Sequence, residues 1–130
     1  QWSNDPNAGF STAAPWFYVN GNYHTINVRD EDADPDSILN FYRRLIKFKK
    51  ENPVAIYGSY NELMHESRKL YVYEREYEGK RLLVVCSFSD KPVTLPRRIT
   101  RGAGELILCN YPYSDSQTLR PYEARVYLYE

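Results

Sequence analysis

The pattern of apolar and polar positions in this chain changes period near residue 53, and the elements it predicts differ on the two sides. Before that point, apolar residues recur every three or four positions. Ile38, Phe41, Tyr42, Leu45 and Phe48 make one stripe, widened by Leu39 and Ile46, which predicts an amphipathic helix from about Asp36 to Glu51. Asp34 is placed to cap it, Pro35 suits a first helical position, and the early acidic groups suit the positive end. Arg43, Arg44, Lys47, Lys49 and Lys50 crowd the later turns, where cations meet the negative end, and Asn52-Pro53 stops the helix. These cations read as a solvated helix face, because no aromatic stacking platform lies between them to receive nucleic acid.

From Pro53 onward the period is two. Val54–Tyr57 and Glu62–His65 read as short strands separated by Gly58. Lys69–Tyr77 and Arg81–Ser89 flank Glu78-Gly79-Lys80, a hairpin signature. Val93–Leu95, Glu105–Cys109 and Ala124–Tyr129 follow, split by Pro-, Gly- and Ser-rich breaks. About seven or eight strands with no helix between them predict an antiparallel Greek-key β-sandwich over 53–130.

Residues 1–33 show no clear period. They read as one long irregular loop holding Pro6, Gly9, Pro15, Gly21 and the acidic run Asp30-Glu31-Asp32. The loop nevertheless carries Trp2, Phe10, Trp16, Phe17, Tyr18 and Tyr23. Disordered linkers are poor in aromatics, so this loop is expected to pack against something.

Composition narrows the function classes. The chain of 130 residues is 42% hydrophobic, and its 17 basic and 17 acidic residues cancel, which removes any electrostatic drive toward nucleic acid or an anionic membrane. No apolar run approaches the ~20 residues of a membrane span, and Gln1-Trp2-Ser3 lacks the basic and apolar regions of a signal peptide. A soluble protein with no readable targeting address is expected, with neither nucleic acid nor membrane as partner. Cys86 and Cys109 sit in apolar strand-like runs and read as buried free thiols, with a cross-strand disulfide as the less favoured alternative. His24 and His65 stand apart from any cluster, so no metal site and no cofactor are expected.

Candidate chemistry is sparse. Retaining glycoside hydrolysis needs two carboxyl groups ~5–5.5 Å apart, and Glu74 and Glu76 share one strand face. Any alternating strand makes such a pair, and Arg81 or Lys80 across the hairpin is placed to neutralise it, so a solvent face is the expected reading. Asp30-Glu31-Asp32 lacks the spaced oxygen ligands of a calcium loop. No Ser-His-Asp or Cys-His set, phosphate loop or dinucleotide fingerprint is present, so no catalytic residue is expected within this chain. Among the 13 tyrosines, Tyr71/Tyr73 and Tyr127/Tyr129 each lie two apart on a strand. They read as the cover of a half-buried sheet face or as a row that stacks on glycan, the first being favoured.

In order along the chain stand Gln1-Trp2, Asn7-Ala8-Gly9-Phe10, Pro15-Trp16, Ile26-Asn27-Val28 and Asp34-Pro35-Asp36-Ser37-Ile38-Leu39. Tyr57-Gly58-Ser59-Tyr60, Asn110-Tyr111 and Leu119-Arg120-Pro121-Tyr122-Glu123-Ala124 follow. This series resembles the C-terminal portion of the oligo-1,6-glucosidase and maltase-type α-glucosidases of the α-amylase superfamily, glycoside hydrolase family 13. The stretch from about 62 to 105 matches by pattern more than by letters. The resemblance implies that residues 1–52 are the remnant of a (β/α)8 catalytic barrel, a loop plus its final helix, and that 53–130 are the all-β C-terminal domain beside it. It implies that the nucleophilic Asp, the acid/base Glu and a stabilising Asp come from earlier barrel strands outside this sequence. It leaves Gln1 and Trp2 as the residues near the rim of the substrate pocket. Ser3 stands where many bacterial members carry Asp or Asn, so the preferred linkage stays open.

The implied function is that of the structural C-terminal part of a retaining α-glucosidase acting on short α-glucosides, inactive by itself. Its implied partners are the catalytic barrel and, through it, an oligosaccharide substrate. A carbohydrate-binding module for α-glucan and a non-catalytic glucosidase-like protein are the alternatives. Loss of the barrel partner would leave an apolar patch that drives self-association.

Overall fold

The computed structural model describes residues 1–100, 102, 104–112 and 117–130, so the Ser-rich break at 113–116 lies outside the described residues. Two compact units are present, Gln1–Lys47 and Phe48–Glu130.

The first unit is more ordered than its sequence suggests. Gln1–Ser3 is pinned at the backbone: the amides of Trp2 and Ser3 both donate to the carbonyl of Ala8, at 2.9 and 3.3 Å. That carbonyl is turned inward by three successive left-handed residues, Asn7 (φ 58°), Ala8 (φ 54°) and Gly9 (φ 72°). For Ala8 this conformation costs about 1–2 kcal/mol, and its complete burial is part of what offsets that cost. At Gly9 a Cβ would stand 2.7 Å from Ser3 Oγ, so glycine is required there.

A 3₁₀ turn at Gly21–His24 leads into a short helix, α1, Val28–Ala33. The expected irregular stretch over 1–33 therefore contains a helix. Its signal is local and polar: the Asn27 carboxamide oxygen accepts from the Asp30 amide at 3.0 Å, an N-cap, and Asp30 and Glu31 sit at the positive end. The main helix, α2, spans Ile38–Glu51. Its cap is Ser37 rather than Asp34, since Ser37 Oγ accepts from the Asn40 amide at 3.1 Å and donates to the Glu31 carbonyl at 2.6 Å. Asp34 instead accepts from the Asp36 amide at 2.9 Å, closing the turn that precedes the helix. The apolar stripe of α2 splits in two: Phe41, Leu45 and Phe48 are half-buried, whereas Ile38, Tyr42 and Ile46 are exposed.

In the second unit, Pro53–Tyr57 forms a helical turn, α3, and not the expected strand. Pro53 occupies a first helical position, where its missing N–H has no intrahelical partner to lose, and a four-residue apolar run has no period to oppose it. The single helix expected for the chain is thus one of three among the described residues. The Arg75 guanidinium closes the carboxyl end of α3, donating to the Gly58 carbonyl at 2.7 Å and to that of Ile56 at 3.3 Å.

Seven strands follow among the described residues: β1 Asn61–Glu62, β2 Leu70–Tyr77, β3 Lys80–Ser87, β4 Val93–Thr94, β5 Glu105–Cys109, β6 Thr118–Leu119 and β7 Ala124–Tyr129. They build a five-stranded antiparallel sheet of order β1-β2-β3-β7-β5 and a two-stranded β4-β6 ribbon. The expected strand at Glu62–His65 shrinks to Asn61–Glu62, and β6 has no counterpart in the pattern because two residues carry no period. The β2–β3 turn is two residues, Glu78-Gly79, with φ of 47° and 81°. This is the hairpin turn whose twist matches that of the strands.

Register places Leu70 and Val72 of β2 beside Val85 and Leu83 of β3 on one sheet face. With Leu95, Ile99 and Leu119 they make the core, each side chain stabilising by about 1.5–3 kcal/mol relative to exposure. Cys86 and Cys109 are free and half-buried. Strand β7 lies between theirs, which sets them roughly 9–10 Å apart and beyond a disulfide's reach. No helix among the described residues is long and apolar enough to cross a membrane.

Candidate functional site

The first unit contains an open cleft of about 600 Å³ whose lining includes Gln1, Phe10, Trp16, Phe17, Tyr18 and Asn20. Its aromatics come from the segment between the turn at Pro6–Gly9 and that at Gly21–His24, and Trp16 meets Phe17 edge-on at 5.3 Å. Trp16 and Tyr18 are 94% and 87% exposed, far more than a folded interior would leave them.

Of the two rim residues named by resemblance, Gln1 lines this cleft and Trp2 stands behind it, meeting the cleft residue Phe10 edge-to-face at 6.5 Å. The Gln1 carboxamide is fixed: Nε2 donates to Asn22 Oδ1 at 2.8 Å and to the Ile26 carbonyl at 2.6 Å. Its backbone carbonyl accepts from Val28 at 3.0 Å, and that of Trp2 accepts from Arg29 at 3.0 Å, so the opening residues seat on the start of α1. Ser3 is buried and bonded to Asp5 at 2.9 Å, and Arg29 pairs with the same Asp5. The guanidinium of Arg29 and the Ser3 hydroxyl hold the Asp5 carboxyl below its usual range. The lining offers aromatic faces, amides and the hydroxyls of Ser11 and Tyr18, which can stack on and hydrogen-bond a neutral ligand.

The carboxylates weighed from the sequence are occupied elsewhere. Glu74 accepts from Asn61 at 2.8 Å and pairs with Arg81 at 3.3 Å, a diagonal contact, since the hairpin register sets Arg81 opposite Glu76. Glu76 is exposed at the end of the same strand, and Lys80 pairs with Glu130 instead, at 3.2 Å. Within α1, Asp30 accepts from the Asn27 side chain at 2.7 Å, Glu31 accepts from the Leu39 amide at 3.2 Å, and Asp32 pairs with Arg43. His24 stacks on Tyr23, and His65 lies beside Glu66. Among the described residues no three His, Cys, Asp or Glu side chains gather as a metal would need.

One charged constellation escaped the sequence reading. Glu123 and Arg125 are fully buried and paired at 2.8 Å. The Glu123 carboxylate also accepts the Arg120 amide at 2.6 Å and the Arg120 guanidinium at 3.3 Å, and the Cys109 thiol at 3.4 Å. Burial alone pushes its pKa up, yet the Arg125 side chain and the Arg120 donors outweigh burial and bring it down to about 2. Both partners are thus charged inside the fold, a structural lock for the β6–β7 corner. The available signal was register: Arg125 precedes Tyr127 and Tyr129 at the inward positions of β7.

The two tyrosine pairs have different fates. Tyr127 and Tyr129 pack on the core, and the Arg81 guanidinium covers the Tyr129 ring at 3.9 Å. Tyr71 and Tyr73 lie on the opposite face, where Tyr60 joins them with ring centroids 5.4 Å from Tyr73.

Comparison with known proteins adds to this geometry. A family model described as the catalytic domain of alpha amylase matches residues 1–58. The oligo-1,6-glucosidase of Halalkalibacterium halodurans is 37% identical over 98% of this chain, and the α-glucosidase of Candida albicans is 39% identical over 98%. Among solved structures, trehalose-6-phosphate hydrolase of Bacillus licheniformis superposes with a TM-score of 0.88 at 32% identity, over 98% of this chain and 24% of that one. The chain spans about a quarter of the curated relatives it matches, 24% and 23% of the two named here.

Proposed function

The chain is a relative of the α-amylase-family oligo-1,6-glucosidases and spans about a quarter of their length, and on that premise we propose that it is the C-terminal portion of a retaining α-glucosidase hydrolysing short α-glucosides. In this reading residues 1–52 complete a catalytic (β/α)8 barrel, and 53–130 form an accessory Greek-key sandwich. The barrel is the chain's partner, and the oligosaccharide is met through it. The catalytic carboxylates lie elsewhere in the longer polypeptide, which acts in the cytoplasm.

The observation that carries this reading is the extent of the matches. Nearly every residue here aligns, while three quarters of each relative has no counterpart in these 130 residues. The catalytic-domain match ends at residue 58, close to the change of period near 53, which supports a division there. The exposed aromatics of the loop and the Ile38–Tyr42–Ile46 stripe of α2 support a role in burying apolar surface against a barrel.

The chemistry assigned to the longer protein is double displacement, with one carboxylate attacking the anomeric carbon and a second carboxyl protonating the leaving oxygen. What this chain supplies is position. The Gln1 carboxamide is held at the cleft with both Nε2 protons given to Asn22 and Ile26, so what it presents to a sugar hydroxyl is Oε1 as an acceptor in a fixed orientation. The test is hydrolysis of methyl α-isomaltoside by the longer protein, whose methyl glucoside leaving group adds no free glucose, with the anomer of the released glucose followed by NMR before it mutarotates. Initial α-glucose is expected. Initial β-glucose, or no hydrolysis, refutes the reading.

A further inference from the structure

We propose that Tyr60, Tyr71 and Tyr73 form a binding platform for a short α-glucan on the outward face of the five-stranded sheet. The platform is assembled from one strand and one connecting segment. Tyr71 and Tyr73 alternate outward along β2, opposite the core residues Leu70 and Val72, and Tyr60 enters from the segment that links α3 to β1. Neighbouring ring centroids are 5.3 and 5.4 Å apart. Tyr60 and Tyr71 remain 55% and 37% exposed, although three aromatic rings in contact have enough apolar surface to close over.

The contrast with the other pair isolates what is unusual. Tyr127 and Tyr129 have the same two-residue spacing on a neighbouring strand, but packing and the Arg81 guanidinium use up their faces. No guanidinium covers Tyr60, Tyr71 or Tyr73 among the cation–ring contacts of the described residues.

The polar rim fixes the chemistry of the occupant. The Tyr60 and Tyr71 hydroxyls lie 3.0 Å apart, and the Tyr60 hydroxyl reaches the Glu62 carboxylate at 3.2 Å. Hydroxyl donors and a carboxylate acceptor beside apolar rings match a pyranose, which presents C–H faces to an aromatic ring and hydroxyls around its edge. The three rings are not coplanar: adjacent planes are inclined by 37° and 46°. A flat row would serve a ribbon-like chain, whereas inclined rings serve a chain whose successive sugars rotate, as α-linked glucans do. The choice of α-glucose as the sugar rests on the α-glucosidase reading above; the platform itself does not.

The test is titration of the protein with maltotetraose and with cellotetraose, following the tyrosine ring signals by NMR. Saturation by maltotetraose in the millimolar range is expected, weakened about tenfold by Tyr60→Ala. Tyr71→Phe, which keeps the ring and removes the hydroxyl pair, should fall between the two. Circular dichroism and unfolding show that each variant is folded. Absence of saturation with folded protein, unchanged binding in Tyr60→Ala, or preference for cellotetraose overturns the proposal. Maltotetraose binding in a protein whose longer form hydrolyses no α-glucoside would sink the activity reading and support the platform.

Discussion

Replacing Glu123 by alanine should remove a large part of the stability of the sheet unit. Glu123 and Arg125 have 0% and 1% of their surface exposed, so the substitution leaves a cation in the interior. It also strips the Arg120 amide of its 2.6 Å acceptor. Breaking one side of a buried pair costs about 3–5 kcal/mol, because the surviving charge keeps its desolvation penalty. The carboxyl's titration gives an independent figure. Its pKa falls from the ordinary 4.5 to about 2, and at about 1.4 kcal/mol per pH unit this is on the order of 3 kcal/mol. The sign follows from a depressed folded-state value: the stabilisation is complete above the unfolded pKa and is lost as pH falls from about 4.5 toward 2. Urea unfolding at neutral pH should therefore show a loss of about 3 kcal/mol or more in Glu123→Ala. In Glu123→Gln, the decline in stability between pH 4.5 and 2 should be shallower than in the unsubstituted protein. A loss under ~1 kcal/mol, or an unchanged acid limb in Glu123→Gln, would show that the pair is not locked as described.

Other substitutions test other parts of the fold. At Gly58 a Cβ would stand 2.4 Å from the Val54 carbonyl oxygen and 2.9 Å from the Arg75 Cβ, so Gly58→Ala should lower stability by about 1–3 kcal/mol in the same unfolding assay. A neutral result would mean that the α3–β2 junction is looser than described. Glu78 adopts φ 47° in the hairpin turn, a conformation asparagine tolerates better, so Glu78→Asn should raise stability by about 0.5–1 kcal/mol. Destabilisation would contradict the turn geometry. The exposed Ile38, Tyr42 and Ile46 stripe and the bare loop aromatics should make the 130-residue chain self-associate, seen as a concentration-dependent elution volume in size-exclusion chromatography. A constant monomeric volume would count against that surface being sticky.

Sequence pattern located the elements that packing makes periodic. Glu105–Cys109 and Ala124–Tyr129 are strands at the bounds the alternation predicts, and β2 and β3 differ from prediction by one or two residues; in β2 the alternation has a packing cause, since Leu70 and Val72 are buried and Tyr71 between them is exposed. Elements decided by a few local bonds were not legible. The Asn27 cap creates α1 without an apolar stripe, and Pro53 turns an apolar quartet into a helix. Asp34 and Ser37 are both good caps by type, and only the bond to the Asn40 amide distinguishes them. Of the candidate site, neutralisation of a β2 glutamate by Arg81 was foreseeable from the hairpin, but register alone points to Glu76, directly opposite, and the diagonal choice of Glu74 was not legible. The Glu123–Arg125 pair was not, because charged residues in a strand read as solvent-facing unless the inward register is known. The clamp on Gln1 depends on Asn22 and Ile26, more than twenty positions away, a separation that no local pattern spans.

The most direct measurement is hydrolysis of a chromogenic α-glucoside by these 130 residues alone, beside the longer polypeptide proposed to carry them. Release of chromophore by the longer protein and none above background by the short one is the expected result. Turnover by the 130-residue chain would place reacting carboxyl groups inside it and contradict the assignment of this segment to support and positioning.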